Sequence, residues 1–196
     1  MPRSTLPQAD LFGVPDPDFP EGFVYRPGFL SPEEEQAIAA ELAKLPFEPF
    51  QFRGYEGRRR VVSFGWRYDF NGPGLVAAEA MPDWLLPARN RAAAFAGLPP
   101  DAFAHVLINE YREGAPIGWH RDRPVFDKVV GVSLLAPTVM RFRRRLGERF
   151  ERINVALAPR SAYLLEGPAR LHWEHSLPEA KAHRYSITFR NLRAPD

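Results

Sequence analysis

Arg184-Tyr185-Ser186-Ile187-Thr188-Phe189-Arg190 alternates polar and apolar residues without a break. In extended chain, Arg184, Ser186, Thr188 and Arg190 share one face, and Tyr185, Ile187 and Phe189 share the other. Two readings of the polar row are open. Facing water, it is ordinary surface. Lining the interior of a barrel, each buried guanidinium requires an anion.

Upstream, short β-rich runs follow one another: 104–111, 129–135, 139–143, 153–157 and 163–166. Glycine and proline punctuate them, at Gly114, Pro116, Pro137, Gly147, Pro159, Gly167, Pro168 and Pro178. That spacing favours an antiparallel sandwich or barrel over a parallel α/β sheet. Within the first run, Asn109 and Tyr111 share a face. An amide, a phenol and two guanidiniums suit a small dicarboxylate.

The first half reads differently. Ser31-Pro32-Glu33-Glu34 opens a helix: Ser31 caps, Pro32 suits the first turn and Glu34 completes a capping box. Ile38, Leu42 and Leu45 continue it as an apolar stripe that stops before Pro46. A second helix is expected over 83–96, closed by Gly97. Residues 60–68 read as extended. The fold class is therefore mainly β with α (α+β): two N-terminal helices supporting an antiparallel double sheet. Residues 1–21, rich in Pro and Asp, read as a flexible tail, and 22–196 as a single domain.

Composition narrows the chemistry. The chain has 196 residues, enough for one domain with a sizeable core. It has no cysteine, which excludes disulfides and thiolate metal sites, so any metal takes nitrogen and oxygen ligands. No run suits a membrane span and no secretory h-region is present, so a soluble, cytoplasmic, monomeric protein is the expectation. Net charge is only +2, yet arginine supplies 23 of the 26 basic residues. The first 50 residues are acidic and the remainder strongly basic, which suits an anionic partner, although genomic base composition also favours arginine.

Histidine occurs at 105, 120, 172, 175 and 183. His120-Arg121-Asp122 places an imidazole and a carboxylate on one side of an extended chain. With one later histidine, they would form the two-His-one-carboxylate set that leaves three positions open on Fe(II). His172 and His175 both qualify. His105 and His183 read as core or surface residues.

Ala80-Met81-Pro82 followed by a helix, Ile108-Asn109-Glu110-Tyr111, Gly118-Trp119-His120-Arg121-Asp122, Trp173-Glu174-His175 and 184–190 occur in an order that resembles the AlkB-like Fe(II)/2-oxoglutarate dioxygenases. The resemblance runs from about Ala80 to Arg193. It implies a double-stranded β-helix (jelly-roll) and oxidative demethylation that releases formaldehyde, succinate and CO2. It implies His120, Asp122 and His175 as iron ligands, favouring His175 over His172. It implies that Arg184 binds the distal carboxylate of 2-oxoglutarate. Arg190 would lie near the chelating end, with Asn109, Tyr111 and Ser186 completing the cosubstrate pocket.

The substrate implied is an alkylated base of DNA or RNA. The alternative is the same chemistry on a protein side chain or small molecule. Trp66 and Tyr68 are candidates to stack on a base, although alternate aromatics on a strand are usually core. Arg59 and Arg143 are candidate phosphate contacts. After Asp122, Arg123-Pro124-Val125 stand where base-reading acidic residues are expected, and Ser186 replaces the family's common Asn. In the tail, Gln8-Ala9-Asp10-Leu11-Phe12 fits a sliding-clamp motif, with Leu11 and Phe12 entering an apolar pocket and Gln8 fixing the backbone.

Overall fold

The computed structural model describes residues 19–52, 54–69 and 74–193; of Tyr55, Arg67, Tyr68 and Asp69 it describes the backbone. The Gln8, Leu11 and Phe12 motif lies outside the described residues. No described helix is long and apolar enough to cross a membrane.

The chain begins with β1 (Phe23–Arg26) and α1 (Pro32–Leu42). The capping box at Ser31 and Glu34 forms as expected, with Pro32 in the first turn. Next come β2 (Glu48–Phe52), β3 (Tyr55–Phe64), β4 (Trp66–Asp69) and β5 (Gly74–Ala77). The extended 60–68 stretch is thus two strands, broken at Gly65. Gly65 has φ +76, and a Cβ there would stand 2.0 Å from the Ala104 carbonyl oxygen. Only glycine fits such a corner.

A 3-10 turn (Asp83–Leu85) leads into α2 (Leu86–Phe95). The sequence placed one helix across 83–96. Pro87, in the first turn of α2, instead marks where the tighter turn becomes α-helix.

The jelly-roll strands follow. They are β6 (His105–Tyr111), β7 (Ile117–His120), β8 (Phe126–Leu134), β9 (Thr138–Leu146), β10 (Arg149–Leu157) and β11 (Ser161–Leu165). A five-residue helix α3 (Gly167–Leu171) precedes β12 (Glu174–Leu177) and β13 (Arg184–Leu192). A seven-stranded sheet runs β1-β11-β8-β13-β6-β3-β2, and a four-stranded sheet runs β10-β9-β12-β7. The strand pairings are antiparallel.

Two apolar cores flank the larger sheet. On its outer face, Ile38 and Leu42 of α1 and Ala88, Ala92 and Ala93 of α2 pack with Ile108, Val132, Ile187 and Phe189. Between the sheets lie Met140, Phe142, Val155, Tyr163, Leu165 and Trp173. Phe19, assigned to the tail by sequence, packs edge-to-face on Phe23 at 5.1 Å.

β13 sits centrally, between β8 and β6. Its apolar row, Tyr185, Ile187 and Phe189, joins the helix-covered core. Its polar row is also buried: Arg184, Ser186, Thr188 and Arg190 are 2%, 4%, 6% and 8% exposed. Both faces of this strand are interior: Ser186, Thr188 and Arg190 line a cavity between the sheets, and Arg184 is buried opposite Tyr111 of the cavity wall.

Candidate active site

The cavity measures about 1420 Å³ and opens between the jelly-roll and the β2–β3 hairpin. Its walls include Asn109, Tyr111, His120, Asp122, His175, Ser186 and Arg190. Strand register explains the gathering. Ser186 of β13 lies opposite Asn109 of β6, and Arg184 opposite Tyr111. His120 of β7 lies opposite His175 of β12.

His120 and His175 have ring centroids 4.3 Å apart. Asp122 Oδ2 stands 3.7 Å from His175 Nε2. The other carboxylate oxygen, Oδ1, accepts from Arg190 Nε at 2.9 Å, and the Arg190 amino group stands 2.8 Å away. Burial alone would raise the Asp122 carboxyl. Arg190, then His175 and His120, outweigh it and hold the group well below the usual carboxylate range. Burial pushes His175 down to about 3 and lowers His120 as well. At neutral pH the trio is therefore two neutral imidazoles and one carboxylate, the protonation state a metal requires.

One tautomer follows from the hydrogen bonding. His120 Nδ1 lies 2.8 Å from the Gly118 carbonyl, which only accepts, so Nδ1 carries the proton. Nε2 is left with its lone pair. Backbone orientation of this kind is what metal-ligating histidines use. Among the described residues no group of three such side chains already has its donors closed around one point. His120 and His175 are in ring contact, Asp122 stands beside His175, and the three carry the nitrogen and oxygen donors a metal takes.

His172, the competing candidate, caps the C-terminal end of α3 and is exposed, whereas His175 is buried. The helical turn separates them.

Arg184 gives the second half of the site. It is fully buried in the protein, where Nε and one amino nitrogen have no partner. The remaining amino group donates to Ser133 Oγ at 3.1 Å, and the guanidinium stands 5.1 Å from the Tyr111 ring centroid. Among the described residues no carboxylate pairs with it. A buried guanidinium left so incomplete fits an anionic ligand. The Asn109 amide is also oriented: Arg59 Nε donates to its Oδ1 at 3.1 Å, which leaves its NH2 as the remaining donor.

Other candidates fall at different places. Arg59 is buried in the cavity wall, its guanidinium 3.7 Å from the Phe50 ring centroid, and not on the surface. Trp66 is half-buried on β4 and does not line the cavity. The Tyr68 side chain is outside the described set. Arg143 lies on the outer face of the smaller sheet, 4.4 Å from the ring centroid of Trp119, which does line the cavity. His183 is exposed beside Glu110, whereas His105 is buried and lines the cavity.

Among the lining residues that escaped the sequence reading are Tyr163 and Arg170. Tyr163 lies across Gly131, where a Cβ would stand 2.1 Å from the ring. Burial and the nearby Asp122 carboxylate raise its phenol, which stays protonated as a donor. Arg170 donates to the carbonyls of Arg123 and Phe126 and so pins the chain leaving Asp122. The Gly131–Tyr163 pairing across adjacent strands was the one available signal for the first; Arg170 had none.

Comparisons agree with this architecture. The solved structure of OsALKBH1 superposes with a TM-score of 0.69 at 18% identity, covering 88% of this chain and 97% of that one. A Burkholderia pseudomallei oxidoreductase of the 2OG-Fe(II) oxygenase family superposes at 0.64 and 20% identity, over 89% and 85%. In sequence, the DNA oxidative demethylase ALKBH2 of Bos taurus is 32% identical over 65% of this chain and 50% of its own. The probable RNA/DNA demethylase ALKBH6 of Danio rerio is 29% identical over 64% and 51%. The mitochondrial alkB homolog 7 dioxygenase of Mus musculus is 32% identical over 79% and 66%. The chain spans about half the length of two of these relatives, ALKBH6 and ALKBH2. Residues 22–190 match the 2OG-Fe(II) oxygenase superfamily, and the chain belongs to it as an AlkB-like member.

Proposed function

We propose that the chain is an Fe(II)- and 2-oxoglutarate-dependent dioxygenase that demethylates alkylated nucleic-acid bases. The observation that carries the chemistry is the pairing of the gathered trio with the incomplete, buried Arg184. His120, Asp122 and His175 would hold the iron. When bound, the metal and cosubstrate supply the oxidation of an unreactive C–H bond by O2, with succinate and CO2 as by-products.

The chain's own residues then bind and orient. Arg184 pairs the distal carboxylate of the keto acid in a charge-assisted contact. The Asn109 NH2, turned inward by Arg59, and the Tyr111 and Ser186 hydroxyls complete its hydrogen bonds. Arg190 holds Asp122 ionised and fixed in rotamer. Hydroxylation of an N-methyl carbon gives a hemiaminal that loses formaldehyde and restores the base.

The nucleic-acid reading is supported by the names of the ALKBH2 and ALKBH6 relatives and by the basic, aromatic wall made by Arg59 and Phe50. Trp66, Tyr68 and Arg143 stand as further contacts to test. A panel of methylated single- and double-stranded DNA and RNA, read by mass and by formaldehyde, tests it. Loss of one methyl group from a base is expected. Iron-dependent succinate release accompanied only by oxidation of a protein or small molecule would reject the nucleic-acid substrate and retain the chemistry.

A further inference from the structure

The outer face of the four-stranded sheet carries an arrangement that the catalytic chemistry does not use. Strand alternation sends Arg141, Arg143 and Arg145 of β9 outward, while Met140 and Phe142 turn into the core. On β10, Phe150 and Arg152 turn outward beside them, paired in register with Arg145 and Arg143. Phe150, Arg152 and Arg145 are exposed. Arg144, of opposite parity, leaves this face and lies over Trp173, paired with Glu151.

The side chains interleave cations with rings. Arg141 and Arg143 stand 5.4 and 4.4 Å from the Trp119 ring centroid. Arg143 and Arg152 stand 4.8 and 5.4 Å from that of Phe150. The ladder therefore reads Arg141, Trp119, Arg143, Phe150, Arg152 across the sheet. Glu174 offsets one of these charges, through Arg143 at 2.7 Å. Arg141 is held by Ser176 at 3.1 Å. The row stays net basic, and two of its members are fixed in place. Trp119, on the edge strand β7, is also a wall of the catalytic cavity.

We infer that this face is a track for the phosphodiester backbone of a single nucleic-acid strand running away from the catalytic cavity. The inference rests on the nucleic-acid reading above and names the surface that reading needs. Three features select the occupant. Outward residues two apart on a strand lie about 6.7 Å apart, close to the spacing of successive phosphates in an extended single strand. Basic residues interleaved with aromatic rings are the pattern that binds single strands without reading sequence. The track also meets the cavity at Trp119, so one strand can place a base in the cavity and its neighbours on the sheet.

The test uses the full chain and an unmethylated fluorescent 15-nucleotide oligo-dT, read by anisotropy across a salt series. Each phosphate contact on a single strand contributes about 0.7 to the slope of log affinity against log salt. Arg145→Gln/Arg152→Gln should reduce that slope by about 1.4 and weaken binding roughly tenfold at low salt. Arg145→Glu/Arg152→Glu should weaken it further, and Phe150→Ala should weaken it about fivefold or more through lost stacking. All three positions are exposed, so wild-type melting temperatures serve as the folding control. Unchanged slope and affinity in both double variants would overturn the track. Equal binding of heparin, with no effect of Phe150→Ala, would show a general polyanion surface and overturn it too. The probe carries no methyl group, so failure of every methylated substrate would sink the demethylase reading and leave this result standing.

Discussion

Replacing Arg184 by methionine should make the ligand-free protein more stable and nearly blind to 2-oxoglutarate. The reasoning starts from two buried guanidinium nitrogens, Nε and one amino group, that have no partner. An unsatisfied buried polar group costs about 1–3 kcal/mol. Methionine is apolar and flexible enough to fill the space beside Tyr111 and Ser133. Loss of the Ser133 hydrogen bond and the Tyr111 stacking offsets part of the gain. A net rise of about 1–2 kcal/mol corresponds to about 2–8 °C in Tm for a domain of this size. With ligand the order reverses. At one hundred times its dissociation constant, 2-oxoglutarate should stabilise the native protein by about 2.7 kcal/mol. Losing two charge-assisted hydrogen bonds, each about 1.5–3 kcal/mol, weakens binding roughly a hundredfold to ten-thousandfold. Thermal melts with and without 2-oxoglutarate, with the same divalent metal in both, read both effects. A variant that melts far below wild type without ligand refutes the account of an incomplete guanidinium. A variant shifted by 2-oxoglutarate as much as wild type refutes its role as the anion anchor.

Three further outcomes are expected. Asp122→Asn keeps the shape but strips Arg190 of its buried carboxylate, and should cost about 3–5 kcal/mol in urea unfolding; a loss below about 1 kcal/mol contradicts the pairing. Gly131→Ala drives a methyl into the Tyr163 ring and should cost at least about 1–3 kcal/mol. Adding Tyr163→Ala should recover part of that loss, and absence of coupling between the two sites refutes the contact. Glu34 is held down to about 2, first by the hydrogen bond from Arg91 and then by the Ser31 N–H. Because its folded value lies below its unfolded one, its contribution is complete above about pH 4.5 and disappears as pH falls toward 2. The group is 39% exposed, so solvent screening limits the effect to under about 1 kcal/mol. Glu34→Gln should differ from wild type at pH 7 and match it at pH 2; equal stability at pH 7 refutes the tie between α1 and α2.

What was legible in the chain depended on period. β13 alternates so strictly that its two faces were assigned before any partner was known, and both proved buried. The capping box of α1 is local chemistry, so four residues sufficed to place its start. The misses are non-local. β1 and β12 are four residues each, too short to show a period. α3 was hidden by Gly167 and Pro168, which punctuate a loop as readily as they open a helix. Nothing in the sequence sets Glu35 of α1 apart from its exposed neighbour Glu33. Glu35 is buried instead, accepting from the Leu135 N–H at 2.9 Å and pairing with Arg160 at 3.2 Å, contacts made across 100 and 125 residues of chain. Arg59 read as a candidate phosphate contact, and only the pairing of β3 with β6 turns it onto Asn109. The separation of His172 from His175 likewise waited on the end of α3.

The most direct measurement is an anaerobic titration of the Fe(II)-loaded protein with 2-oxoglutarate, followed by the visible absorption of the iron–keto acid chelate. The account predicts a band that saturates at one equivalent per chain in the wild type. His120→Ala, Asp122→Ala and His175→Ala should lack it, and His172→Ala should keep it. A full band in the His175→Ala protein, or its loss in His172→Ala with the fold intact, would contradict the site as assigned.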